Sequence, residues 1–179
     1  MPALLDAGAA DCYVERLSGG GGVNSGRAGR AAAALRALTG QPGAAGVKEV
    51  VRAGALPPLL MLMGAGDSPA ALEATHAVCN LASNVSSRQT VCEEARAIPA
   101  CVLAVQRSSG ASAAEVAELG ASALARIADA GDLRRREIAS AGGVAALVGL
   151  LQRHLFAQHP LECAARQHAY CAHYAYYAC

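Results

Sequence analysis

Tryptophan is absent from these 179 residues, phenylalanine occurs once, and aromatics together make up 3%. A sheet sandwich is disfavoured by that scarcity, because strands draw their packing from rings and β-branched side chains. Lysine is nearly missing too, Lys48 standing alone. The arginine that replaces it reads as a codon-composition bias rather than a binding signature. A net charge of +1 gives no reason to expect nucleic acid or an anionic membrane as partner. No stretch approaches the roughly 18 apolar residues of a membrane span. The N-terminus, MPALLDAGAADC, has no basic flank ahead of a long apolar run, so no signal peptide is expected.

Paired cysteine spacing is also lacking. The seven cysteines, at positions 12, 79, 92, 101, 163, 171 and 179, are odd in number. Several stand where the chain elsewhere carries Leu, Val or Ala, so they read as small buried hydrophobes. A reduced, intracellular setting, cytoplasmic or nuclear, is the expectation. What the chain does have is 54% hydrophobic residues with only 16% charge, and about a quarter of it is alanine. A core of Ala and Leu with few rings means closely packed helices.

One pattern recurs. LLDAGAA at 4–10, VVRAGAL at 50–56, CEEARAI at 92–98 and IASAGGV at 138–144 align on Ala7, Ala53, Ala95 and Ala141, separated by 46, 42 and 46 residues. A helical period in the low-to-mid forties marks a solenoid of the armadillo or HEAT type. A short apolar helix should follow each junction, over Ala9–Leu17, Leu56–Met63, Ile98–Arg107 and Val144–Leu155. Pro57, Pro58 and Pro99 sit at helix starts, where a missing N–H costs nothing. Longer helices are expected over Arg27–Leu38, Pro69–Ser83, Ala113–Ala130 and Leu161–Ala175, with Asp67 or Ser68 as N-cap before Pro69. Leu35 and Leu38, Val78 and Leu81, and Leu124 and Ile127 supply their i, i+3 apolar seam. A third, short helix, over Val47–Ala53, Arg88–Ala95 and Asp132–Ala141, leads into the next junction.

With three helices per repeat, the AG(A/G)(L/V)xxLLxLL junction and the phrase HAVCNLAS, the chain resembles armadillo-repeat proteins over nearly its whole length. The expected fold is all-α, a right-handed armadillo-type α-solenoid of about four three-helix repeats. Their units are about 1–40, 41–85, 86–130 and 131–179. The array reads as incomplete at both ends, because solenoids need polar capping repeats. Residues 18–27, SGGGGVNSGR, read as a flexible loop, not a phosphate-binding one, since no strand precedes them and no GK[ST] follows. Residues 170–179 form an atypical tail, holding four of the five tyrosines.

The resemblance implies that third helices line a concave groove where extended peptides or other proteins bind. In importin-alpha adapters an asparagine at the position of Asn80 bonds the main chain of such a peptide. Its amide offers both donor and acceptor. The tryptophan those adapters carry four residues earlier is His76 here. In register, the Asn80 position becomes Ala37, Arg126 and Ala172, and the His76 position becomes Ala33, Ser122 and His168. One asparagine in four and no tryptophan argue against a nuclear-import cargo groove. The candidate partner-binding stripe is His76, Asn80 and Asn84, continued by Ser122 and Arg126. Arg126 could meet a partner's carboxylate, or pair with Glu118 or Asp129.

Other clusters have plainer explanations. Arg134, Arg135 and Arg136 point in different directions around a helix start. Glu73, His76 and Cys79 share a helix at three-residue spacing. However, Cys79 is read on the buried seam in register with Leu35 and Ala125, without oxyanion donors. Cys163, His168, Cys171, His173 and Cys179 invite zinc, but along one helix Cys163 and Cys171 would be about 12 Å apart. No catalytic residue, metal, cofactor, nucleic-acid partner or small-molecule substrate is therefore expected. The function read here is non-enzymatic binding of an extended protein segment by a scaffold. The alternatives are the substrate-recognition fragment of a U-box-type ubiquitin ligase and, less favoured, an importin-alpha-like cargo adaptor.

Overall fold

The computed structural model describes residues 8–18, 26–65, 68–107 and 112–158. The helix expected over Leu161–Ala175, the 170–179 tail and most of the glycine-rich stretch lie outside them. The described residues form ten helices and no strand: α1 Ala9–Ser18, α2 Gly26–Thr39, α3 Ala45–Arg52, α4 Leu56–Gly64, α5 Pro69–Ser83, α6 Val85–Glu93, α7 Ala97–Gln106, α8 Ala113–Ala128, α9 Asp132–Ser140 and α10 Gly143–Gln158.

Two short helices followed by a long one recur, as α3–α4–α5 and again as α6–α7–α8. Like packs on like. The long helices α2, α5 and α8 touch in succession, α4 meets α7, α7 meets α10, and α3 meets α6. This stacking is that of an α-solenoid, in which each repeat buries its apolar face only against its neighbours. Leu35, Leu38, Val78, Leu81, Leu124 and Ile127, the expected seam, are all buried in one continuous cluster. Alanine fills the remaining contacts on α5, where Ala71, Ala74, Ala77 and Ala82 are fully buried. Small side chains at these positions let the backbones approach.

Helix ends follow the local chemistry. Ser68 caps α5, its Oγ accepting from the Ala71 N–H at 3.1 Å, with Pro69 at the first helical position. At the α3–α4 junction, Gly54 N–H donates to Val51 O at 3.0 Å and Ala55 N–H to Val50 O at 3.2 Å. That pair of bonds requires a left-handed residue, and Gly54 supplies φ +68°. The third junction has Arg96 where the others have glycine. There α6 ends instead on an extended Glu94, with φ −77° and ψ 110°, because a residue bearing a Cβ enters the left-handed region only at a cost.

One register expectation fails. Cys79 is buried, but Ala125, its expected counterpart on the seam, is exposed. The buried face of α8 is instead Val116, Ala117, Gly120, Ala123, Leu124 and Ile127. Gly120 sets how closely α8 approaches α7. A Cβ there would lie 2.9 Å from Ala104 Cβ and 3.0 Å from Cys101 O.

Candidate partner-binding groove

The stacked long helices leave an open groove of about 600 Å³ between α2 and α5, lined by Ala33, Arg36, Ala37, Gly40, Glu73, His76 and Asn80. Its α2 wall is low because two lining residues are alanine and one is glycine. Polar side chains stand along it. Arg36 Nη1 donates to both carboxylate oxygens of Glu73, at 3.1 and 3.2 Å, joining α2 to α5. His76 Nε2 lies 2.9 Å from Glu115 Oε1, joining α5 to α8. Glu118 on α8 faces His154 on α10 at 3.6 Å. Charged or ionisable pairs thus bridge α2 to α5, α5 to α8 and α8 to α10.

Asn80 is held from behind. Its Nδ2 donates to Thr39 Oγ1 at 3.3 Å, and that hydroxyl donates to Arg36 O at 3.0 Å. The Asn80 side-chain oxygen and its second amide hydrogen have no partner among the described residues. Opposite, Gly40 adds no side chain, and a Cβ there would sit 3.5 Å from the Asn80 amide nitrogen. A side-chain amide with one bond fixed and a donor and acceptor to spare can meet a peptide unit from both sides.

Of the sequence-derived stripe, the structure places His76 and Asn80 together on the groove wall. Asn84 serves a different purpose. It is the N-cap of α6, its Oδ1 accepting from Ser86 N–H at 2.9 Å and from Ser86 Oγ at 2.7 Å. Ser122 is exposed on α8. Arg126 is also exposed and faces Asp129 at 3.8 Å, one of the two partners its helix spacing offered. The other, Glu118, meets His154 instead.

Arg36, which lines the groove, and Thr39 and Glu115, which hold its Asn80 and His76, are absent from the sequence-derived stripe. Each acts through a partner on another helix, 37 to 41 positions away, which spacing within one helix does not reveal. The repeat register did carry a usable signal, because it set Ala33 and Ala37 opposite His76 and Asn80. Arg36 and Thr39 lie beside those two alanines.

Chemistry is not assembled around Cys79. Glu73 points to α2 and His76 to α8, while the thiol is buried. Cys101 is fully enclosed, and burial, with the Cys79 thiol a lesser contributor, pushes it up to about 12. It is no nucleophile at neutral pH. Two of the three α9 arginines pair within their own helix, Arg134 with Glu137 at 2.7 Å and Arg135 with Asp132 at 2.9 Å. Arg135 also donates to Ala128 O of α8 at 3.2 Å, and Arg136 is exposed. The five cysteines and histidines considered for zinc at 163–179 lie outside the described residues. Among the described residues no single helix is long and apolar enough to cross a membrane.

Comparison with known proteins adds one match. Residues 44–83 fit the family model of the armadillo/beta-catenin-like repeat, a span that runs from the start of α3 to the end of α5. No curated protein matches the chain.

Proposed function

We propose that this armadillo-repeat chain binds an extended segment of a protein partner in the groove between its third helices. Armadillo repeats are protein-interaction scaffolds in general, and an all-helical fold of this kind is typically non-enzymatic. The finer assignment rests on Asn80. It stands on the groove wall, anchored by Thr39, with a donor and an acceptor left over and a glycine facing it. An extended main chain presents one N–H and one C=O per residue and fits that arrangement. Arg36 and Glu73, already paired, would order the segment's side chains by charge. Ser122 and Arg126 extend the same surface along α8.

A library of random extended peptides displayed on phage, panned against the 179-residue chain, supplies ligands even though the natural partner is unidentified. The affinity of a recovered peptide is then measured for two variants. Asn80→Ala should weaken binding about fivefold, the equivalent of about 1 kcal/mol for one hydrogen bond, with little change in thermal midpoint. Leu81→Ala empties a fully buried site and should instead cost about 2–5 kcal/mol of stability. Peptides that bind Asn80→Ala and the groove-filling Ala37→Trp as tightly as the parent would place the binding surface elsewhere.

A further inference from the structure

Three arginines that the groove does not use converge where α1 ends and α2 begins. Arg16 comes from the last turn of α1, Arg27 from the first turn of α2, and Arg30 from one turn further on. With Tyr13 and Ala31 they line a second cavity, of about 260 Å³. The Arg16 guanidinium carbon lies 6.0 Å from the centre of the Tyr13 ring. Arg30 folds back along its own helix, its Nη1 standing 3.6 Å from where a Cβ on Gly26 would be.

None of the three forms an ion pair among the described residues, whereas Arg36, Arg52, Arg126, Arg134 and Arg135 all do. The sequence explains why. Between Glu15 and Glu49 there is no Asp or Glu, but five cations: Arg16, Arg27, Arg30, Arg36 and Lys48. The arrangement is unfavourable in the free protein. Arg27 and Arg30, three residues apart on one helix face, repel each other. They also stand in the opening turns of α2, where the helix dipole disfavours cations and no acidic residue offsets them. A bound anion would relieve both penalties.

The number and shape of the donors narrow the anion. A guanidinium is a planar fork that matches carboxylate or phosphate oxygens two at a time. One carboxylate has two oxygens and a single charge, so it would leave part of this cluster unanswered. A phosphate monoester brings three free oxygens and a charge of about −1.5 to −2 at neutral pH. In a chain whose repeats bind proteins, such a group arrives on a modified side chain. We propose that Arg16, Arg27 and Arg30 form a binding site for a phosphoserine or phosphothreonine of a protein partner, separate from the groove around Asn80.

The test uses the whole 179-residue chain and a fluorescein-labelled, glycine-rich peptide carrying one phosphoserine. Fluorescence anisotropy should show it bound at least tenfold more tightly than its unphosphorylated form, with affinity falling as salt rises. Arg27→Gln and Arg30→Gln should each weaken binding fivefold or more while circular dichroism stays unchanged. Arg136→Gln, an exposed arginine on α9, and Asn80→Ala should leave it as it was. Equal binding of the two peptides would overturn the proposal, as would an equal loss in Arg136→Gln, which would indicate bulk charge. If the arginines instead hold the chain on phosphatidylserine vesicles and not on the phosphopeptide, the anion belongs to a membrane and the assignment fails.

Discussion

At the residue level, the molecule joins its repeats with polar side chains that bridge separate helices. Arg52 is the clearest case. It donates to Glu49 on its own helix at 2.7 Å and to Asp11 on α1 at 2.6 Å. Glu49 also accepts the Gly8 N–H at 3.3 Å. These contacts tie the start of α1 to α3, and they make the tie sensitive to acid. The hydrogen bond from Arg52 holds Glu49 below the ordinary value of 4.5; burial opposes it, and the weaker contributions of the Gly8 N–H and the Arg52 charge add to the lowering. A carboxyl lowered on folding adds stability above its unfolded value, and that stability disappears as pH falls through the folded value. The denaturation midpoint should therefore drop with acidification from about pH 5 downward. Glu49→Gln should flatten that part of the curve while leaving α5–α8 intact. An unchanged acid slope in Glu49→Gln would mean that other carboxylates control it. Such links were not legible in the sequence, because Asp11 and Arg52 are 41 positions apart and only the stacking of α1 on α3 brings them together.

At the level of the element, much more is legible from the residues alone. Prolines at helix starts, Ser68 before Pro69 and the i, i+3 leucine seams place α4, α5 and α7 to within a residue or two. The reason is that helix ends are decided locally, by caps and by missing N–H groups. Ala125 shows where local reading stops. Its burial depends on how far α8 rotates against α5 and α7, and Gly120 helps set that rotation. Propensity and packing conflict at Gly120. Alanine is the better helix former by about 1 kcal/mol, which taken alone predicts that Gly120→Ala stabilises the protein. The Cβ would nevertheless stand 2.9 Å from Ala104 Cβ and 3.0 Å from the Cys101 carbonyl, and forced overpacking typically costs about 1–3 kcal/mol. Packing should win, so Gly120→Ala is expected to lower the urea midpoint. Gly54→Ala, strained only by its φ of +68°, should cost about 1 kcal/mol. A Gly120→Ala protein as stable as the parent would show that α7 and α8 can part without penalty.

For the whole molecule, the period of 42 to 46 residues was the decisive signal, since a repeat that cannot bury its apolar face alone must stack. Stacking also implies that stability is spread unevenly along the chain, because each repeat draws support only from its neighbours. Burial follows that gradient. Nine residues of α5 are buried and seven of α8, against Ala10 alone on α1, Ile138 alone on α9 and, among the described residues of α10, Gly143 and Ala146. On α10 the residues Val144, Val148 and Leu151 are exposed, yet they occupy the repeat positions of Leu56, Leu60 and Met63 on α4 and of Ile98, Val102 and Val105 on α7, all buried. The same pattern of side chains therefore contributes core at the middle of the array and little at α10. Amide exchange should reflect this, with the slowest hydrogens in α5, α7 and α8 and much faster exchange in α1, α9 and α10, since local opening is easiest where few apolar contacts are lost. Leu81→Ala should speed exchange across α5 and both neighbouring long helices together, because it lies in the seam they share. Uniform protection from α1 to α10 would mean that the described helices unfold as a single cooperative unit, and the nearest-neighbour picture of this solenoid would have to be given up.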